Sequence, residues 1–149
     1  MRIIKFLYLA AMLVLLSSAI VAAENGRITA HAILVVGSNQ SAKSDPRLAR
    51  YEPNLRRILH LESFRLVGEN SAAFAQLGKG TISVGSGQSL ELQSEKSDGK
   101  GIYLRVKWRN GDRTVINNGN EMSPGVPTIF IDGAAGKGGE TFAVILFVD

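Results

Sequence analysis

Apolar and polar residues alternate with period two along most of this chain, and the alternation is broken once by a helical spacing and once by an unbroken apolar run. Across residues 27–36, Ile28, Ala30, Ala32, Leu34 and Val36 alternate with Thr29, His31, Ile33 and Val35. The segment becomes apolar on both faces near its end, which predicts a strand entering the middle of a sheet. Residues 37–44 are polar and predict a loop, after which Asp45-Pro46 supplies an N-cap and a proline at the first helical position. Leu48, Tyr51, Leu55 and Ile58 follow at spacings of three, four and three, one face of a helix, with Arg50, Arg56 and Arg57 elsewhere. Pro53 interrupts that face, so two short turns or a kinked helix ending near His60 are expected.

Everything after this helix alternates. Short strands are predicted over residues 64–68, 73–77, 81–84 and 89–93, each fenced by Gly, Asn or Ser. Residues 101–118 predict a hairpin, with Ile102, Leu104, Val106 and Trp108 on one face and Tyr103, Arg105, Lys107 and Arg109 on the other. Asn110-Gly111 fits a type I′ turn, which would set Val106 opposite Val115 and Arg109 opposite Asp112. Two more strands are predicted over Thr128–Ile131 and Thr141–Val148, the last apolar on both faces and therefore central. The sum is a mainly β fold: an antiparallel β-sandwich of about eight or nine short strands, with one short helical crossover near residues 46–60.

The apolar run lies at the start. Residues 1–23 carry Arg2 and Lys5, an apolar stretch over 6–16, Ser17 and Ser18, and then Val21-Ala22-Ala23 before Glu24. This is the three-part plan of a secretory signal peptide, expected to be cleaved after Ala23. Residues 24–149 are then a single β-sandwich domain with no membrane span, and the protein is expected in the periplasm or secreted. Without the leader, 48 of 126 residues are hydrophobic, an ordinary share for one soluble core. Removing Arg2 and Lys5 from the 17 basic residues leaves 15 against 13 acidic, a net charge of +2. That balance argues against a nucleic-acid partner. The chain has no cysteine, which removes disulfides, thiolate metal sites and cysteine nucleophiles together.

Other catalytic patterns fail on spacing. The glycine-rich stretch 133–139, with Lys137, lacks the leading glycine and the Ser or Thr of a phosphate loop and precedes a strand, so it is expected to be a connection. Ser86 and Ser123 do not sit in a nucleophile elbow. His31 falls on a strand and His60 at a helix end, with no nearby acidic pair, which suits a strand face and a C-cap. Glu91 and Glu95 share a strand face about 13 Å apart, too far for either standard glycosidase geometry. No enzyme, cofactor or metal site is therefore expected.

The binding residues are easier to place. Tyr103, Arg105, Lys107 and Arg109 form a basic stripe headed by an aromatic, a candidate surface for a glycan or polyanion, while Trp108 is in phase with the core. Asn39-Gln40-Ser41 has the pattern of a glycosylation acceptor. The N-terminal strand, Asp45-Pro46-Arg47-Leu48, the segment Ser63-Phe64-Arg65-Leu66-Val67-Gly68, the closing Pro127-Thr-Ile-Phe-Ile-Asp-Gly133 and a Gly-Gly pair before the last strand follow in a familiar order. Over most of residues 27–148 this resembles a group of small bacterial exported proteins of uncharacterised function. The resemblance implies an exported, β-rich bacterial protein and brings no catalytic residues with it. The expected role is a non-catalytic binding or assembly module whose partner is another envelope or extracellular protein, with a glycan or polyanion bound by the stripe as the alternative.

Overall fold

Residues 26–96, 101–134 and 137–149 are described by a computed structural model, in which the alternation resolves into eight strands. They are β1 (Arg27–Ser38), β2 (Ser63–Ala75), β3 (Lys79–Gly85), β4 (Gln88–Glu95), β5 (Ile102–Asn110), β6 (Arg113–Met122), β7 (Thr128–Ile131) and β8 (Thr141–Val148). Two antiparallel four-stranded sheets result, one in the order β2-β1-β8-β7 and the other β3-β4-β5-β6. The leader lies outside the described residues, as do Ala135 and Gly136 of the glycine-rich stretch.

The double-faced strands explain the layering. In β1, Ile28, Ala30, Ala32 and Leu34 face the other sheet, joining Trp108, Leu90, Leu104 and Val106 in the sandwich core. Ile33 and Val35 face the opposite way, into a second core with Phe64, Ala143 and Ile145. That second face is covered by a 3-10 turn, Pro46–Leu48, and the helix α1 (Glu52–Leu59). Leu48, Tyr51 and Leu55 supply its apolar contacts. The central places of β1 and β8 in their sheet follow from this: each buries one face on strands and one on the helical cover.

Two helical pieces are present as expected, but the break falls before Pro53, which sits in the first turn of α1 and is tolerated there instead of interrupting the helix. Asp45 caps the preceding turn by accepting from the Arg47 N–H at 2.9 Å. The helix ends on His60, whose backbone is left-handed (φ 54) and whose N–H donates to the Arg56 carbonyl. Ile58 departs from expectation: it is exposed, and Leu59 packs against the core instead. Within α1 the apolar face runs from Leu55 to Leu59, a spacing of four where three was expected, and both spacings lie on one side of a helix.

Two other expectations are corrected. Residues 64–68 and 73–77 belong to one strand, β2, which runs through Gly68 and ends at Ala75; its pairing with β1 absorbs a bulge between Leu34 and Val35. The β5–β6 hairpin turns on Gly111 and Asp112, flanked by the pair Asn110 and Arg113. Only Gly111 of the two has a positive φ (60), the signature of a type II′ turn. A bulge at Val115 shifts the register again, so Arg109 faces Thr114 and Val106 faces Asn118.

Candidate interaction surfaces

Alternation on β5 sends Tyr103, Arg105, Lys107 and Arg109 to the outer face of their sheet, opposite the core-facing Leu104, Val106 and Trp108. The neighbouring strand β4 sets carboxylates among them. Glu91 pairs with Lys107 across the ladder and Glu95 with Tyr103. The Arg105 Nε donates to the Glu95 Oε1 at 3.0 Å, and this bond lifts the guanidinium further above its ordinary value. The Lys107 Nζ stands 3.8 Å from Glu91 Oε2. Tyr103 lies over Gly119 of β6, where a Cβ would overlap its hydroxyl. Two of the stripe's three cations are thus paired with carboxylates, which reduces its positive field, whereas Arg109 stands opposite Thr114 and its Nε is shielded from solvent with no hydrogen-bond partner among the described residues. A shallow groove of about 340 Å³ runs across it, lined by Lys79, Thr81, Gln93, Arg105 and Asn117 among others.

Sequence reasoning missed two polar clusters because their members are far apart in the chain. Asp149 Oδ2 lies 2.6 Å from the Nε2 of His31, and the imidazole stacks on Phe147 with centroids 4.8 Å apart. Ser71 faces His31 across the β1–β2 ladder. Among the described residues no hydrogen bond joins its hydroxyl to the imidazole, the contact on which a serine nucleophile depends. His60, at the end of α1, takes no part in this cluster. The second cluster ties the sheets together: Arg113, on β6, donates to both carboxylate oxygens of Asp132 just beyond β7, at 2.6 and 3.3 Å. Asp132 is 3% exposed and also accepts from the Ala134 N–H. The Arg113 hydrogen bonds hold its carboxyl below the ordinary value of 3.8, against the opposing effect of burial. Among the described residues, no three His, Asp or Glu side chains gather as a metal site.

The sheet edges differ more than the faces do. On one side of the sandwich β2 and β3 close on each other: Gly68 passes so near the Val84 carbonyl that a Cβ would overlap it, and the Phe74 ring covers Gly80. Asn70 Nδ2 adds a hydrogen bond to the Ser83 carbonyl at 3.2 Å. On the other side β7 is only four residues long. The edge strand β6 beside it has ten, and among the described residues no strand pairs with its free side. Its stretch from Thr114 to Asn120 contains no charge and no proline, two of the devices that usually blunt an edge.

No family model matches the chain, and no curated protein or solved structure matches it either.

Proposed function

We propose that this chain is an exported, non-catalytic β-sandwich module that binds protein in the cell envelope or outside the cell, with the free edge of β6 as its contact. The edge carries the reading. A row of unpaired main-chain N–H and C=O groups is a template for an extended polypeptide, which supplies the same groups in the same spacing. The leader over residues 1–23 supports export by its n, h and c regions. The described helices include none long and apolar enough to cross a membrane.

The test uses the absence of native cysteine. A cysteine introduced at Asn117, on β6, is carried with a thiol-reactive crosslinker in the exporting host, beside a control at Asn54 on α1. The expected result is a discrete protein adduct from the β6 position alone; equal adducts from both positions, or none from either, contradict the reading.

The groove beside Arg105 and Lys107 favours a second reading, a glycan bound on the outer face of that sheet. Arg105 and Lys107 are already matched by Glu95 and Glu91, so the groove offers a polyanion less than its cations suggest and suits a neutral polyhydroxyl chain. Salt-resistant retention on immobilised polysaccharide that is lost in Arg105→Ala would favour it over the edge.

A further inference from the structure

A small cavity of about 160 Å³ opens at the end of β1, lined by Ser38, Lys43, Ser63, Arg65 and Glu140 beside the apolar Val36 and Phe64. The strand order places its walls. Arg65 of β2 pairs with Val36, while Thr141, the residue after Glu140, pairs with Gly37. Because β1 runs between β2 and β8, their backbones stand about 10 Å apart here, two strand spacings. Arg65 and Glu140 therefore flank the end of β1 from opposite sides.

The remaining wall is the loop after β1, which is pinned at both ends. The Ser63 hydroxyl donates to the Gln40 carbonyl at 3.0 Å. Further along, the Phe64 N–H donates to the Ser44 hydroxyl oxygen at 3.0 Å and the Asp45 N–H to the Phe64 carbonyl at 2.9 Å. Lys43 is thus carried by a fixed segment. With the single Ser63 proton engaged by Gln40, the Ser38 hydroxyl is the donor in its 3.0 Å contact with Ser63, and lone pairs of the Ser38 oxygen remain free to accept.

The charges around this cavity do not meet. Arg47, Arg56 and Arg113 each reach a carboxylate. Among the described residues, Lys43 and Arg65 reach none, and Glu140 reaches no cation. A simple anion placed among them would be drawn by Lys43 and Arg65 but repelled by Glu140, and a simple cation the reverse. A small molecule that carries both charges is favoured by all three groups. The volume corresponds to about five liquid waters, which suits a free amino acid and is too little for a nucleotide or a glycan.

We propose that this cavity binds a small α-amino acid, with its carboxylate on Lys43 and Arg65 and its ammonium on Glu140 and the Ser38 hydroxyl oxygen. The site is separate from the edge of β6, so the two readings stand or fall independently.

Nuclear magnetic resonance titration of the isotope-labelled protein with L-alanine, read at the backbone amides of Ser38, Phe64 and Arg65, tests this. Alanine is expected to shift these amides saturably and to bind at least about tenfold more tightly than acetate or ethylammonium, each of which carries one of its two charges. Glu140→Gln should weaken alanine by about tenfold and leave acetate no weaker, whereas Arg65→Gln should weaken both. Near-ultraviolet circular dichroism of Trp108 verifies that each variant is folded. Amides that do not respond to alanine, acetate that binds as tightly as alanine, or a folded Glu140→Gln protein that binds alanine like the wild type overturns the proposal.

Discussion

The indole Nε1 of Trp108 donates to the Oε1 of Gln88 at 2.9 Å, with the two residues 0% and 1% exposed. Trp108 pairs with Leu90, two positions along from Gln88 on β4, so the amide reaches the ring diagonally across the ladder. A buried indole needs an acceptor, and Gln88 is polar in the core for that reason. Trp108→Ala should cost about 3 to 5 kcal/mol in urea melts, as a large cavity does. Gln88→Ala should cost about 1 to 3 kcal/mol, mainly by orphaning the N–H. A Trp108→Ala protein that melts like the wild type would remove Trp108 from the core.

Arg113 and Asp132 should make stability depend on acid. The folded carboxyl of Asp132 lies below its ordinary 3.8, so its contribution is complete above that value and is lost as pH falls through the folded one. Arg113→Ala strands a buried carboxylate. Because the guanidinium is half-exposed, the cost near neutrality should be smaller than for a fully buried pair. Melts of the two proteins should differ at neutral pH and converge as pH falls below about 4; a gap independent of pH would contradict the assignment. Asp45, drawn down to about 2 chiefly by its hydrogen bond from Arg47, should keep its cap until pH falls towards that value.

Gly68→Ala should destabilise more than Gly111→Ala, although only Gly111 has a positive φ. At Gly68 the added carbon meets the Val84 backbone, which cannot rotate aside, and about 2 to 3 kcal/mol is expected. At Gly111 the space is open and the cost is backbone strain alone, about 1 kcal/mol for alanine. Equal melting of the two variants would mean that β2 and β3 do not close on each other as described.

The fold was legible wherever burial follows from local periodicity. The bounds of β7 and β8, the central place of β1 and β8, and the burial of Trp108 all follow from which faces are apolar. The hairpin register was not legible, because Gly111 serves a type II′ turn as readily as a type I′ turn and nothing near Val115 announces a bulge. Gly68 resembles a strand end in sequence, whereas its role is to let two strands approach. The partnerships of His31 with Asp149 and Arg113 with Asp132 depend on tertiary contact. The same holds for the edge: the residues of β6 are ordinary hairpin residues until the strand order leaves them on the outside.

Export makes its own prediction. Protein recovered outside the cytoplasm should begin at Glu24, as N-terminal sequencing would show; recovery of a chain beginning at Met1 in the membrane fraction would mean that the leader is retained as an anchor.

Hydrogen exchange along β6 tests the role of its edge most directly. Alternate amides of an edge strand bond to its neighbour while the others point away from the sheet. In dilute protein the outward amides of residues 116–122 should exchange rapidly while those of Thr141–Val148, in the middle of the other sheet, exchange slowly. Adding a partner trapped at Asn117 should slow the outward set on β6 and leave β8 unchanged. Exchange on β6 that ignores the partner, or protection that develops instead on the outer face around Arg105, would contradict the account.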